Sequence, residues 1–228
     1  AGQALEGAWN KVKLYFMLGL PTETQEDMKE IPRLADQIAR RYYELPKEKR
    51  NGKCQITTST SFFIPKPFTP FQWARMYNND EYIARAAIVK HEFNEQLNRK
   101  SLKYHWHDAE VTVLEGVFAR GDRKLSKVIR EAYRLGCLYD SWTEKFDNEK
   151  WMKAFENTGI EIGFYNLRER RADEIFPWDF IDIGVTKEFL YQEWQRAKKG
   201  EVTPNCRVKC SGCGVMKYKG GVCVESKN

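Results

Sequence analysis

Apolar residues fall into two periods along this chain: short compact runs that suit strands and longer sets spaced three and four apart that suit helices. Lys13-Leu-Tyr-Phe-Met-Leu-Gly19 is a short apolar run bounded by turn residues, and it predicts a strand buried on both faces of a parallel sheet. The opening residues, Ala1 to Asn10, read as the end of a helix running into that strand. Gly19-Leu-Pro21 stops the strand, and Thr24 caps a helix whose first turn holds Gln25, Glu26 and Asp27, the acids favoured there by the helix dipole. Met28, Ile31, Leu34, Ala35, Ile38 and Ala39 carry that helix to about Leu45, with Pro32 disturbing its first turns. The β-branched and aromatic stretch from Cys54 to Ile64 predicts a second strand. Strand, helix and strand make the unit from which parallel sheets and barrels are built.

The later pattern is mostly helical. Pro65, Pro67 and Pro70 enforce an extended loop ending at Phe71-Gln-Trp73, and residues Tyr82 to Leu97 then repeat as a helix. Asp108 is suited to cap a helix over Ala109 to Ala119. Gly121 ends that helix, Asp122 caps the next, and Gly136 closes it after Leu125, Val128, Ile129, Ala132, Tyr133 and Leu135 have formed one apolar face. Asp147 opens a helix through Trp151 and Phe155 to Gly159, and Thr186 caps a last one over Lys187 to Ala197. There is no internal repeat and no low-complexity block.

Composition narrows the class. The 228 residues include 42% hydrophobic positions, enough for a sizeable core, and no apolar run has the length of a membrane span. The chain is expected to be cytoplasmic, with no membrane partner. Thirty-eight Lys and Arg against 32 Asp and Glu leave a net charge of +6, too modest to imply nucleic acid by itself. The excess is concentrated after Arg196, where Lys198, Lys199, Arg207, Lys209, Lys217, Lys219 and Lys227 face only Glu201 and Glu225. Such a tail either meets phosphates, RNA among them, or is simply solvated.

That tail also holds Cys206, Cys210, Cys213 and Cys223 within eighteen residues almost empty of large apolar side chains. A segment without a core needs an ion or a cross-link to hold a shape. Four thiols so close predict a metal site, with structural zinc first, an auxiliary iron–sulfur cluster second, and free or disulfide thiols third. A closed four-Cys site serves structure rather than catalysis. His105 and His107 alternate and would share a strand face, but no third ligand lies in spacing, so they predict an ordinary polar surface. No Ser–His–Asp order, phosphate loop or Walker pattern occurs, and Glu115, Arg120, Asp122 and Arg123 read as salt-bridge scaffolding.

The run from Lys13 to Thr24 resembles the Gly-Phe-Pro-Gly-Glu-Thr turn that follows a late barrel strand in radical S-adenosylmethionine enzymes. Together with Phe62-Phe-Ile-Pro-Lys-Pro-Phe-Thr-Pro-Phe-Gln-Trp73, Leu114-Glu-Gly-Val-Phe-Ala-Arg-Gly-Asp-Arg-Lys124 and Phe176-Pro-Trp-Asp179, it resembles the subgroup with a cobalamin-binding-like domain ahead of the barrel. The resemblance implies an α/β fold that is the C-terminal portion of a partial TIM-like barrel. Residues 1–100 would be its last strands and helices, 101–200 a helical extension and 201–228 the Cys-rich metal-binding tail. Gly19, Pro21 and Glu23 then lie at the cofactor-proximal turn. Glu23 either accepts a hydrogen bond from a ligand amine or is an acid stabilised by the helix dipole. Ser59 and Ser61 share one strand face by period two and either line a cofactor cleft or sit on a plain half-buried strand.

Cys206, Cys210 and Cys213 have the C-x3-C-x2-C spacing of that family's cluster loop. The loop, however, follows the first barrel strand and carries an aromatic residue where Gly212 stands, and Cys210-Ser-Gly-Cys213-Gly has the form of a zinc knuckle. The [4Fe–4S] cluster and S-adenosylmethionine are expected in a full-length parent, with cobalamin as an open further cofactor. The missing N-terminal barrel half or cobalamin-binding domain is the implied partner, and an unpaired sheet edge leaves a homodimer open as well. Without the cluster loop, whether this piece is itself an enzyme stays open. The alternative expectation is a zinc-stabilised RNA- or protein-binding module.

Overall fold

The computed structural model describes residues 2–218, in a chain that divides into two compact units. The first unit is Ala1–Phe63 with Tyr77–Val113; the second is Ile64–Met76 with the chain from Leu114 onward. The fold is mixed α/β, with a small three-stranded parallel sheet and helices. Among the described residues no helix is long and apolar enough to cross a membrane.

In the first unit α1 (Gly2–Glu6) leads into β1 (Lys11–Leu18), α2 (Gln25–Glu44), β2 (Gln55–Phe62), α3 (Asn79–Glu95) and β3 (Leu102–Trp106). The strands lie in the order β1-β2-β3, all parallel. Parallel neighbours need a crossover connection, which α2 and α3 supply. Each begins with a reciprocal cap: Thr24 Oγ1 accepts the Asp27 N–H while the Asp27 carboxylate accepts the Thr24 N–H, and Asn78 and Glu81 repeat the device on α3. The second cap starts α3 three residues before the predicted Tyr82. α2 runs through Pro32, whose ring is buried; the cost is one missing backbone N–H bond.

Both helices cover one face of the sheet. Ile56, Thr58, Thr60 and Phe62 of β2 are buried there, Phe62 packs on Tyr82 with ring centroids 4.5 Å apart, and Tyr104 of β3 stacks on Phe93 of α3 at 5.0 Å. Among the described residues the other face is open. Lys13, Tyr15 and Met17 alternate outward and Tyr15 is 71% exposed, so β1 is not buried on both faces as its apolar run predicts. Tyr and Met count as apolar by composition, yet at period two they stand opposite Leu14, Phe16 and Leu18. Leu34 of α2, expected in the core, is also exposed.

α4 (Ala109–Arg120) begins in the first unit and ends in the second, and Asp108 Oδ1 caps it by accepting the N–H groups of Glu110 and Val111. The second unit continues with α5 (Leu125–Arg134), α6 (Asn148–Thr158), α7 (Ile162–Asn166) and α8 (Lys187–Lys198). One of its cores joins Val117, Leu125, Val128, Ala132, Trp151 and Phe155. Burying each large apolar side chain of this kind stabilises by about 1.5–3 kcal/mol. Another is aromatic: Trp73 lies 5.6 Å from Phe176 and 5.1 Å from Tyr191, and the Trp178 indole N–H donates to Gln72 Oε1 at 2.8 Å. The segments Phe71–Trp73 and Phe176–Trp178, which carry part of the family resemblance, therefore meet as packing rather than as a polar site.

Candidate functional site: the strand ends and the open sheet face

After β1 the chain turns at once. The Glu23 N–H donates to Leu20 O at 3.1 Å across a turn with Pro21 second and Thr22 third, and Thr22 has φ +69°, the left-handed conformation that a type II turn requires at that place. The Glu23 side chain then folds back so that Oε2 accepts the Gly19 N–H at 2.8 Å. Gly19 has φ +86°, and a Cβ there would lie 2.9 Å from Tyr82 Cε1 and 3.0 Å from Tyr77 Cδ2. Only glycine fits.

The resulting carboxylate is sequestered: the Glu23 side chain is 7% exposed, and Arg85 Nε lies 3.9 Å from Oε2. The Arg85 guanidinium sits 3.5 Å above the Tyr77 ring, a cation–π contact that keeps it beside the acid. Burial pushes the Glu23 carboxyl above the usual carboxylate range, opposed by the Gly19 N–H and the Arg85 charge. Oε1 makes no hydrogen bond to any described residue. Burial likewise raises the Tyr104 phenol to about 12, against its hydrogen bond to Thr60 Oγ1 at 2.9 Å and with help from the Glu23 charge.

On the open face, strand register aligns side chains in rows. Tyr15 pairs with Ser59 and Ser59 with His105; Lys13 pairs with Thr57 and Thr57 with Lys103; Met17 pairs with Ser61. With strands about 4.8 Å apart, each three-residue row spans about 10 Å. The hydroxyls of Ser59 and Ser61 make no hydrogen bond among the described residues. Gly19, Pro21 and Glu23 thus close one compact turn, while Ser59 and Ser61 stand on the open face; no contact joins a Ser hydroxyl to Glu23. Sequence reasoning missed Arg85, which reaches Glu23 from α3, and Tyr77, just ahead of that helix, whose ring lies under the guanidinium; it also missed His105 as the neighbour of Ser59. Extending the Ser59 period across a strand at 102–106 would have found the last.

In the tail, Cys206 and Cys210 are exposed and Cys213 is half-buried, whereas Cys223 lies outside the described residues. Among the described residues no three His, Cys, Asp or Glu side chains form a group able to hold a metal. Cys213 O accepts the Thr186 N–H at 2.9 Å, and Gly214, at φ +98°, approaches so closely that a Cβ would lie 2.7 Å from Thr186 Cγ2. Lys217 pairs with Asp182, whose carboxyl is held down to about 2 mainly by that partner. Lys217 is thus engaged by a carboxylate at the surface; Lys219 lies outside the described residues.

An uncharacterized protein of Methanocaldococcus jannaschii is 27% identical over 151 residues, which is 66% of this chain and 30% of that protein. The chain therefore spans less than a third of that relative. No family model matches it, and no solved structure matches it.

Proposed function

We propose that this chain contributes the late strands of a partial barrel, and a substrate-facing extension, to a radical S-adenosylmethionine enzyme. The observation that carries the reading is the sheet: three parallel strands in sequential order, among the described residues helices on one face only, and a polar opposite face. A doubly wound sheet has helices on both faces. A barrel keeps its helices outside and places its site at the C-terminal ends of the strands, where Glu23 lies in this chain.

The residues fit a cofactor bearing an amine and hydroxyls. The Glu23 side chain is largely buried and its Oε1 has no hydrogen-bond partner among the described residues, the Gly19 bond fixes the carboxylate's direction, and the Ser59 and Ser61 hydroxyls are open. In this reading Glu23 binds and orients the amine, Arg85 tunes the carboxylate's charge, and the serines line the chamber. S-adenosylmethionine, when bound, would supply the radical chemistry, with its [4Fe–4S] partner, and any cobalamin, on the upstream half. The chain joined to that half should bind labelled S-adenosylmethionine in equilibrium dialysis, and Glu23→Ala should weaken binding at least tenfold. No binding by the joined protein, or equal binding by the variant, would sink the reading.

The Cys-rich tail is proposed to hold structural zinc, on the strength of the Gly214 turn after Cys213. Elemental analysis of anaerobically purified protein and of Cys210→Ser is its test. About one zinc per chain, lost in the variant, supports it; iron with sulfide and a visible chromophore would replace it with a cluster. A cytoplasmic location follows from the same picture of reduced thiols.

A further inference from the structure

α5 turns two rows toward solvent that its own fold does not use. Its inward row, Leu125, Val128 and Ala132, is buried. Ile129 and Tyr133, expected to share that face, are 50% and 66% exposed, because each sits one residue, about 100°, past a buried position. Opposite the buried row, Lys127, Arg130 and Arg134 stand at i, i+3 and i+7 and form one cationic stripe, preceded by Arg123. Arg123, Lys127 and Arg130 make no ion pair among the described residues, and Arg134 has only Glu131 at 3.5 Å. Elsewhere Arg33, Arg168, Arg171 and Lys187 are each held by a carboxylate within 2.8 Å.

Exposed rings accompany the stripe. Beyond Tyr133, the connection from α5 to α6 presents Tyr139 and Trp142, 67% and 61% exposed. Their backbone is fixed: the Trp142 N–H donates to Tyr139 O at 3.0 Å, the Phe146 N–H to Trp142 O at 3.0 Å, and the Trp151 indole N–H to Asp140 Oδ1 at 3.1 Å. Large rings held in water on a braced loop that directly follows the cationic helix in the chain are suited to a partner with flat faces and negative charge.

A basic helix can meet an anionic membrane, an acidic protein or a nucleic acid. An interfacial helix needs its apolar face for the bilayer, and α5 has buried that face in the core. An acidic peptide would use the cations but not the rings. Cations that track a backbone, with aromatic rings on which bases stack, are the pattern of single-strand recognition. We propose that the α5 stripe together with Tyr133, Tyr139 and Trp142 is a binding surface for single-stranded nucleic acid, with phosphates on the stripe and bases on the rings. It stands whether or not the barrel reading holds.

The test is fluorescence anisotropy with a labelled twenty-nucleotide oligouridine at several salt concentrations. Reversing three charges (Lys127→Glu, Arg130→Glu, Arg134→Glu) should weaken binding at least tenfold and flatten the slope of log affinity against log salt by about 2, since each phosphate contact on a single strand contributes about 0.7. Trp142→Ala should weaken binding roughly fivefold or more with the slope unchanged. A control with the same charge change at exposed positions of the first unit, Lys47→Glu, Lys49→Glu and Lys53→Glu, should bind nearly as well as wild type. All these sites are exposed, and circular dichroism checks that the variants fold. No binding at low salt, equal losses in the control, or preference for phosphatidylserine vesicles over the oligonucleotide would each overturn the proposal.

Discussion

Replacing Thr22 by Gly should make the protein more stable. Thr22 occupies the third place of the Leu20–Glu23 turn at φ +69°, where a β-branched residue suffers steric conflict between its side chain and backbone. Its side chain is exposed and makes no hydrogen bond, so nothing favourable is lost with it. Relief of the left-handed conformation is worth about 1–2 kcal/mol, and the greater freedom of glycine in the unfolded chain returns about 0.5–1 kcal/mol of that. The net gain is about 0.5–1 kcal/mol, which for a chain of this size raises Tm by about 1–4 °C. Thr22→Asn should fall between the two, because Asn tolerates the left-handed region. Differential scanning calorimetry with a matched urea series would measure all three. A Gly variant that melts at or below wild type would refute the turn geometry on which the Glu23 site rests.

Gly19→Ala should destabilise by roughly 2–4 kcal/mol, because its Cβ would meet both Tyr82 and Tyr77 at a positive φ, and urea midpoints read this directly. Thr58→Val should be neutral or stabilise by about 1 kcal/mol, since the Thr58 hydroxyl is fully buried and has no described partner; a loss above 1 kcal/mol would mean that a partner exists. The pH dependence of stability carries the sign of the raised Glu23 carboxyl: its contribution is fully present below the ordinary carboxylate pKa and is lost as pH rises through the folded value. Wild type should therefore lose ground to Glu23→Gln as pH rises above the ordinary carboxylate range in paired urea melts, and a flat or opposite difference would show that the carboxyl is not raised.

How much was legible depended on whether a residue's role was local. The capped start of α2 and the turn that ends β1 could be read because Thr24, Asp27 and Gly19 act on near neighbours. β3 could not. Lys103, Tyr104 and His105 lack an apolar pattern, and they are a strand because β2 offers a ladder, down to the His107 N–H on Thr60 O. The Glu23 environment was half legible for the same reason: Gly19 lies four residues away, but Arg85 arrives on α3 from sixty-two residues further along. Composition misled where large apolar side chains fell one step off the buried row. Tyr15, Met17, Ile129 and Tyr133 all count toward a hydrophobic face and all point to water. On a short amphipathic element a single position decides the face, and only the packing partner fixes that position.

The two faces of the sheet constrain what can cover the open one. Parallel sheets are ordinarily covered on both sides, and a face meant for a second layer of helices carries Val, Ile and Leu. This one carries Lys13, Thr57 and Lys103 in one row, Tyr15, Ser59 and His105 in the next, and Met17 with Ser61 nearest the turn. Helices packed there would bury two ammonium groups and several hydroxyls without partners, at several kcal/mol for each charge. A chamber closed by further strands, with water or a polar ligand inside, leaves those groups solvated or bound while pairing the free edges of β1 and β3. The polarity that forbids a dry second layer is thus what the proposed barrel requires of its interior. The same logic makes the face testable by charge. Lys13→Leu with Lys103→Leu should promote self-association of the isolated chain in sedimentation velocity, by removing the charges that keep an open sheet face apart from its copies. If that double variant stayed as monodisperse as wild type, something other than polarity would be protecting the face.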